Sequence, residues 1–184
     1  QIEYTTIAST GNATNFGNLA GVRTNFGDAG CASPTRGIFF GGFDEGGSNA
    51  LNEIASITIG STGNASDFGD MSASLYQLMA CSSETRGVKA GGISGYVNNI
   101  EYVTIANTGN ASDFGDLTAG RAQGGGTSSS TRGVFAGGET SNNNRSNIID
   151  YITIANTGNA TDFGDLTATR FYNSMTSSDH GGVQ

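Results

Sequence analysis

The sequence predicts an all-β fold assembled from four-stranded antiparallel units arranged radially. Three observations point to it. Phe16, Phe68, Phe114 and Phe163 recur 52, 46 and 49 residues apart, each inside a near-identical nonapeptide. These read "TGNATNFGN" at 10–18, "TGNASDFGD" at 62–70 and 108–116, and "TGNATDFGD" at 157–165. Each period also holds four short extended segments separated by turn-forming residues. Finally, no stretch sustains an apolar stripe of 3.6-residue spacing, so helix is expected to be nearly absent. Four strands per repeat of this length is the signature of a β-propeller blade. Solenoid repeats are usually shorter, and a sandwich does not repeat.

Within one unit the first segment is the stretch before "TRG", for example "RAQGGGTS". The second follows "TRG" at 35–37, 85–87 and 131–133 and closes on a double glycine: "GIFFGG", "GVKAGG" and "GVFAGG". The fourth copy degrades to His180, Gly181 and Gly182. The third segment is "IEYTTIA", "IASITIG", "IEYVTIA" or "IDYITIA". Both of its faces carry β-branched or aromatic groups, as a strand covered on both sides requires. The fourth is "ASDFGDLT". Between the third and fourth, "NTGN" predicts a tight hairpin with Gly and Asn at positive φ. The repeated Arg36, Arg86 and Arg132 are expected to close turns or pair with a nearby Asp.

One propeller domain over 1–184 is expected, with blades at about 21–72, 73–118 and 119–167 and a fourth shared by 1–20 and 168–184. The chain begins on segments three and four and ends on one and two, so the ends complement each other. Pairing Ile2–Ala8 beside 180–184 would close a four-bladed ring and remove two sheet edges. The alternative is a fragment of a larger propeller.

Charged residues are 13% of the 184, and the formal net charge is −8. That argues against a nucleic-acid partner, which needs a basic footprint. No apolar run reaches membrane-span length. Cys31 and Cys81 occupy equivalent repeat positions, where later repeats have Thr127 and Thr176. Free thiols are expected there rather than a disulfide.

The nonapeptide offers acidic pairs: Asp67 and Asp70, Asp113 and Asp116, Asp162 and Asp165, with Asn15 and Asn18 in the first copy. Such pairs could supply part of a Ca²⁺ shell, the one cofactor suggested, but nothing supplies the remaining ligands. Turn hydrogen bonds and a solvated outer strand explain them more simply. Asn12, Asn64, Asn110 and Asn159 each head a formal glycosylation sequon, for which a left-handed turn is again the simpler account. His180 is the only histidine, and no Ser or Cys has a recognisable catalytic partner, so no enzymatic activity is expected.

The variation between repeats is confined to two connections. One is segment four to one: "AGVRTNFGDAG", "SASLYQLMA", "TAGRAQGGG" and "TATRFYNSM". The other is segment two to three: "FDEGGSNALNE", "ISGYVNN" and "ETSNNNRSNI". In an up-and-down blade both emerge on the same rim. Candidate ligand-binding residues are therefore Arg23, Asn25, Tyr76, Gln77, Tyr96, Arg121, Gln123, Arg170, Tyr172 and Asn173. Rings, amides and guanidinium groups are what a sugar or protein surface would meet. Ordinary loop drift is the competing explanation.

The double-glycine strand followed by "IEYVTIA" is similar to a kelch blade, lacking the outer Trp usual in kelch repeats. More closely, "IDYITIANTGNATDFGDLT" with "SSSTRGVFAGG" resembles the repeat units of virion structural and tail-fibre-like proteins of marine cyanobacterial phages, over nearly the whole chain. That resemblance implies a non-enzymatic module, located on a virion or extracellularly, that recognises a host-surface glycan or protein and contacts other fibre proteins. The alternatives are a purely structural or decoration module of a particle or filament, and a secreted propeller lectin of cellular origin.

Overall fold

A computed structural model describes residues 1–19, 23–24, 27–44, 46–141 and 143–177. Its strands are β1 (Ile2–Tyr4), β2 (Thr14–Gly17), β3 (Gly27–Asp28), β4 (Gly30–Ala32), β5 (Arg36–Phe40), β6 (Glu53–Thr58), β7 (Ser66–Asp70) and β8 (Leu78–Ser82). There follow β9 (Arg86–Ala90), β10 (Asn99–Thr104), β11 (Ser112–Asp116), β12 (Gly125–Ser128), β13 (Arg132–Ala136), β14 (Glu139–Ser141), β15 (Asn144–Thr153) and β16 (Thr161–Arg170). No helix occurs among the described residues.

The strands form successive antiparallel sheets, one per repeat. They are β4-β5-β6-β7, then β8-β9-β10-β11, then β12-β13-β15-β16, with the short β14 folded back on β15. A two-stranded sheet, β1-β2, stands before them as half a unit. β3 crosses to the next repeat and pairs in parallel with β8. This is the four-stranded arrangement expected of blades. The expected pairing of Ile2–Ala8 with 180–184 lies outside the described residues.

The "DFG" triplet has one structural job in every copy. The register of the outer strand pair shifts there, between Ile2 and Glu3, Ile54 and Ala55, Ile100 and Glu101, and Ile149 and Asp150. The partner residues skip the Phe: Ile100 faces Gly115 and Glu101 faces Asp113. A bulge of this kind turns the extra residue out of the ladder, and Phe68 and Phe114 are packed against the following repeat. Phe68 joins a buried cluster with Val103, Ile105 and Ala111, and Phe114 one with Ile152, Ile154 and Ala160.

The "NTGN" connection is not the tight hairpin that its composition suggests. Residues 105–111 separate β10 from β11, and Asn64, Asn110 and Asn159 do not adopt positive φ. Instead the turn reaches back to the preceding repeat. Gly63, Gly109 and Gly158 donate their N–H to the carbonyls of Phe16, Phe68 and Phe114 at 2.7–2.8 Å. Ala65, Ala111 and Ala160 donate to Asn18, Asp70 and Asp116, each at 2.8 Å. The Oδ1 of Asn64, Asn110 and Asn159 accepts the amides of Asn18, Asp70 and Asp116 at 3.0–3.1 Å. The glycine after the Phe is required where a repeat follows: a Cβ on Gly69 or Gly115 would fall 2.3–2.5 Å from the backbone of Gly109 or Gly158.

The repeated arginines close turns, as one of the two expectations had it: Ser33, Ser83 and Ser129 donate their N–H to the carbonyls of Arg36, Arg86 and Arg132 at 2.9 Å. Their guanidinium groups act between repeats rather than on a nearby Asp. Arg36 and Arg86 donate Nη1 to the carbonyls of Ile105 and Ile154, both at 2.8 Å, and lie over the Phe68 and Tyr102 rings. At the inner side, Ser82, Ser128 and Ser177 each donate a hydroxyl to the equivalent carbonyl one repeat earlier, Ala32, Ser82 and Ser128, at 2.7–2.8 Å. Residues 30–32, 80–82, 126–128 and 175–177 together line a single cavity of about 540 Å³.

Both thiols are free and packed on the glycine of the next "TRG", Cys31 against Gly87 and Cys81 against Gly133. Burial pushes the Cys31 thiol up to about 12 and raises that of Cys81 as well. A thiol raised on folding contributes stability that is complete below its ordinary value of 9.0 and lost as pH climbs toward 12. The urea midpoint should therefore fall above pH 9. A Cys31→Thr, Cys81→Thr chain, using the residue found at 127 and 176, should show a flatter alkaline limb.

Candidate functional site

The two variable connections do share one rim. Thr24 bridges Phe43, Tyr76 bridges Ile93, and Ala122 bridges Glu139, each joining a four-to-one segment to a two-to-three loop. The double glycines make this meeting possible. Gly42, Gly92 and Gly138 donate to the carbonyls of Leu75, Arg121 and Arg170 at 2.7–3.1 Å. A Cβ on Gly91 would lie 2.1 Å from the Arg121 carbonyl oxygen.

Three consecutive positions of the four-to-one segment have three different fates. The first is Arg23, Leu75, Arg121 and Arg170. Arg23 and Arg121 are buried there, so they do not face the rim as expected. Arg23 is ion-paired with Glu53, and Arg121 with Asp150 at 3.0 Å, the latter pair with fully buried side chains. Burial lowers the Arg121 pKa, and the Asp150 carboxylate opposes that shift. The second repeat has Leu75 at this position and draws its buried cation from strand β9 instead: Lys89 pairs with Glu101 at 3.1 Å. Burial lowers the Lys89 pKa, again opposed by the neighbouring carboxylate.

The second position holds Thr24, Tyr76, Ala122 and Phe171. Tyr76 stacks on Phe43 with centroids 4.2 Å apart, and Phe171 lies against Tyr172 and under Arg145. The third position holds Asn25, Gln77, Gln123 and Tyr172. Asn25 lies outside the described residues. The other three are all left-handed, with φ of 55°, 61° and 52°. A non-glycine residue in that conformation costs of order 1–3 kcal/mol and concentrates at functional sites. Gln123 donates its N–H to the Gln77 carbonyl at 3.0 Å, and Tyr172 to that of Gln123 at 2.7 Å. Their side chains join too: Gln123 Nε2 donates to Gln77 Oε1 at 2.7 Å, and Gln77 Nε2 to Tyr172 Oη at 3.1 Å.

Tyr96, also left-handed at 55°, stands beside this chain of amides. Its phenol is raised by desolvation and by the Glu139 carboxylate, with Tyr76 and Tyr172 also within electrostatic reach. Tyr76, Gln77, Tyr96, Gln123 and Tyr172 thus come together, but Gln77 and Gln123 are buried beneath the rim rather than open to a ligand as expected, Tyr76 and Tyr96 are half-buried, and Tyr172 is exposed. Asn173 is half-buried and donates to the Ala136 carbonyl at 3.1 Å. Arg170 is exposed. Phe43, Glu139, Arg145 and Phe171 belong to the same rim and were not singled out from sequence. The residue directly after each double glycine, Phe43, Ile93 or Glu139, is the signal that would have found two of them.

The acidic pairs sit on the outer strands. No group of three or more His, Cys, Asp or Glu is placed to hold a metal among the described residues. Asp162 accepts the Gly164 amide at 3.0 Å, the local turn bond expected of it. A polar cleft of about 330 Å³ on the standardised face includes Arg36 and Asp67, but Arg36 is committed to Ile105. No helix of the described residues is long and apolar enough to cross a membrane. No family model matches the chain, and no curated protein matches it.

Proposed function

We propose that this chain is a non-enzymatic, propeller-like binding module that presents its variable rim to a surface glycan or protein, as part of a virion fibre or similar extracellular appendage. The observation that carries it is the convergence of Gln77, Gln123 and Tyr172, all held in left-handed backbone, with Tyr76 and Tyr96 beside them. Aromatic faces suit the C–H faces of a pyranose, and the exposed Tyr172 phenol, held from below by the buried Gln77 and Gln123 amides, suits its hydroxyls. Rigid sheets supply the positioning, and the connections supply the variety.

A glycan array tests it. Binding by the intact chain should fall at least tenfold in a Tyr76→Ala, Tyr172→Ala chain of unchanged thermal midpoint. A second reading is favoured by the way Gln77, Gln123 and Tyr172 already satisfy one another: a structural or decoration module with no ligand of its own. Absence of binding at any concentration, together with tight assembly into particles, would establish that reading over the first.

A further inference from the structure

We infer that the last repeat is clasped by the first half-unit of the same chain, through a fourth copy of the joint that links the other repeats. The rule for the joint is displayed three times. A turn Gly and Ala donate to the Phe and Asp or Asn of the preceding repeat, and the turn Asn accepts its amide. The Phe is covered by the next repeat. At 163–165 the acceptor half is present and unfilled by any described residue. Phe163 is 55% exposed where Phe68 and Phe114 are 2%, and a Cβ on Gly164 would meet nothing within 4 Å. At 2–13 the donor half is present and unused. Ile7 is fully exposed, whereas Ile105 and Ile154, each preceded by a complete repeat, are buried, and Ile59, preceded only by the half-unit, is 43% exposed. Gly11, Asn12 and Ala13 stand where the other turns have Gly109, Asn110 and Ala111.

Two further vacancies match independently. Arg132 lies over Tyr151 and Phe163 but has no carbonyl partner among the described residues, whereas Arg36 and Arg86 reach Ile105 and Ile154. By the repeat its acceptor is the carbonyl of Ile7. Arg170 is the repeat equivalent of Arg121, and Glu3 that of Asp150. The interior pair is fully buried at 3.0 Å, whereas Arg170 and Glu3 are both exposed and form no ion pair with described residues. Backbone donors, apolar surface, guanidinium and buried charge therefore all lack the same missing neighbour, and residues 2–13 carry every counterpart.

The occupant is the chain's own first half-unit rather than a second copy. Met175, Thr176 and Ser177 line the same cavity as Gly37, Ile57 and Ile59 of the first full repeat, so the last segment and the first full repeat meet around it. That repeat already holds β1-β2 through Gly63 and Ala65. The half-unit thus stands beside the gap that it would fill. The inference does not depend on what the rim binds.

The test is a charge-swap cycle read on protein shown by sedimentation to be monomeric, with amide exchange alongside. Glu3→Arg and Arg170→Glu should each lower the folding equilibrium constant, and the double variant should recover it with a coupling of about 10-fold or more. In the unaltered monomer the Gly11 and Ala13 amides should exchange at least about 100-fold slower than free peptide, as expected of the hydrogen-bonded Gly63 and Ala65. Phe163→Ser should abolish that protection. Additive charge effects with unprotected amides would overturn the inference. Coupling or protection that grows with concentration alongside a dimer would overturn it in favour of a second copy.

Discussion

Arg121→Ala will be among the most destabilising single changes in the chain, costing about 3–5 kcal/mol. The loss is not the value of the ion pair. It is the cost of leaving Asp150 fully buried without its countercharge. Asp150 also accepts the Thr118 amide and hydroxyl at 3.2 and 2.7 Å, and Arg121 Nη2 donates to the Phe135 carbonyl at 3.0 Å. One guanidinium thus ties the four-to-one connection to β13 and β15. An Arg121→Met, Asp150→Asn chain should recover most of the loss, because an oxygen remains for Thr118 and no charge is stranded. Urea unfolding of the three proteins checks it. A single variant within about 0.5 kcal/mol of the parent would mean that the pair is solvated.

Phe114→Ala should cost about 3–5 kcal/mol, the cost usual for a core aromatic, although the residue lies in the outermost strand of its sheet. It is 2% exposed and packed against Tyr102, with rings 5.9 Å apart at 82°. Beyond its own sheet it meets Ile152, Ile154 and Ala160. The removed side chain thus leaves a cavity between two repeats, where neither sheet alone can collapse to fill it. Total stabilities of single domains lie near 5–15 kcal/mol, so such a loss would be readily measured as a fall in the thermal midpoint. Loss of only a few tenths would show that the Phe merely decorates an exposed outer strand.

These two residues also show what sequence could and could not reveal. Strand positions and the shared rim were legible, because alternation, double glycines and repeat phase are local or pairwise signals. The destination of a turn's N–H groups was not. "TGNA" satisfies the composition of a tight hairpin, yet its donors are used by the preceding repeat, and only spacing in three dimensions distinguishes the two. The same holds for "Arg-Ala-Gln" at 121–123. One of three adjacent side chains is sealed with a buried acid, and another is held left-handed on the rim. Leu75 at the position of Arg121 was the available hint that the site is interior. Burying a cation needs a paired carboxylate, and the second repeat moves that cation to Lys89, which obscures the pattern in any comparison by position.

The nonapeptide is therefore the joint between units, and the ligand recognition that we propose falls to the residues that differ from unit to unit. Amide chemical-shift mapping with a glycan that scores positive on the array tests this division most directly. Perturbations should centre on Tyr76, Gln77, Tyr96, Gln123 and Tyr172. Perturbations concentrated instead in 62–70, 108–116 and 157–165, with the rim unmoved, would place the site on the repeated hairpins and contradict it.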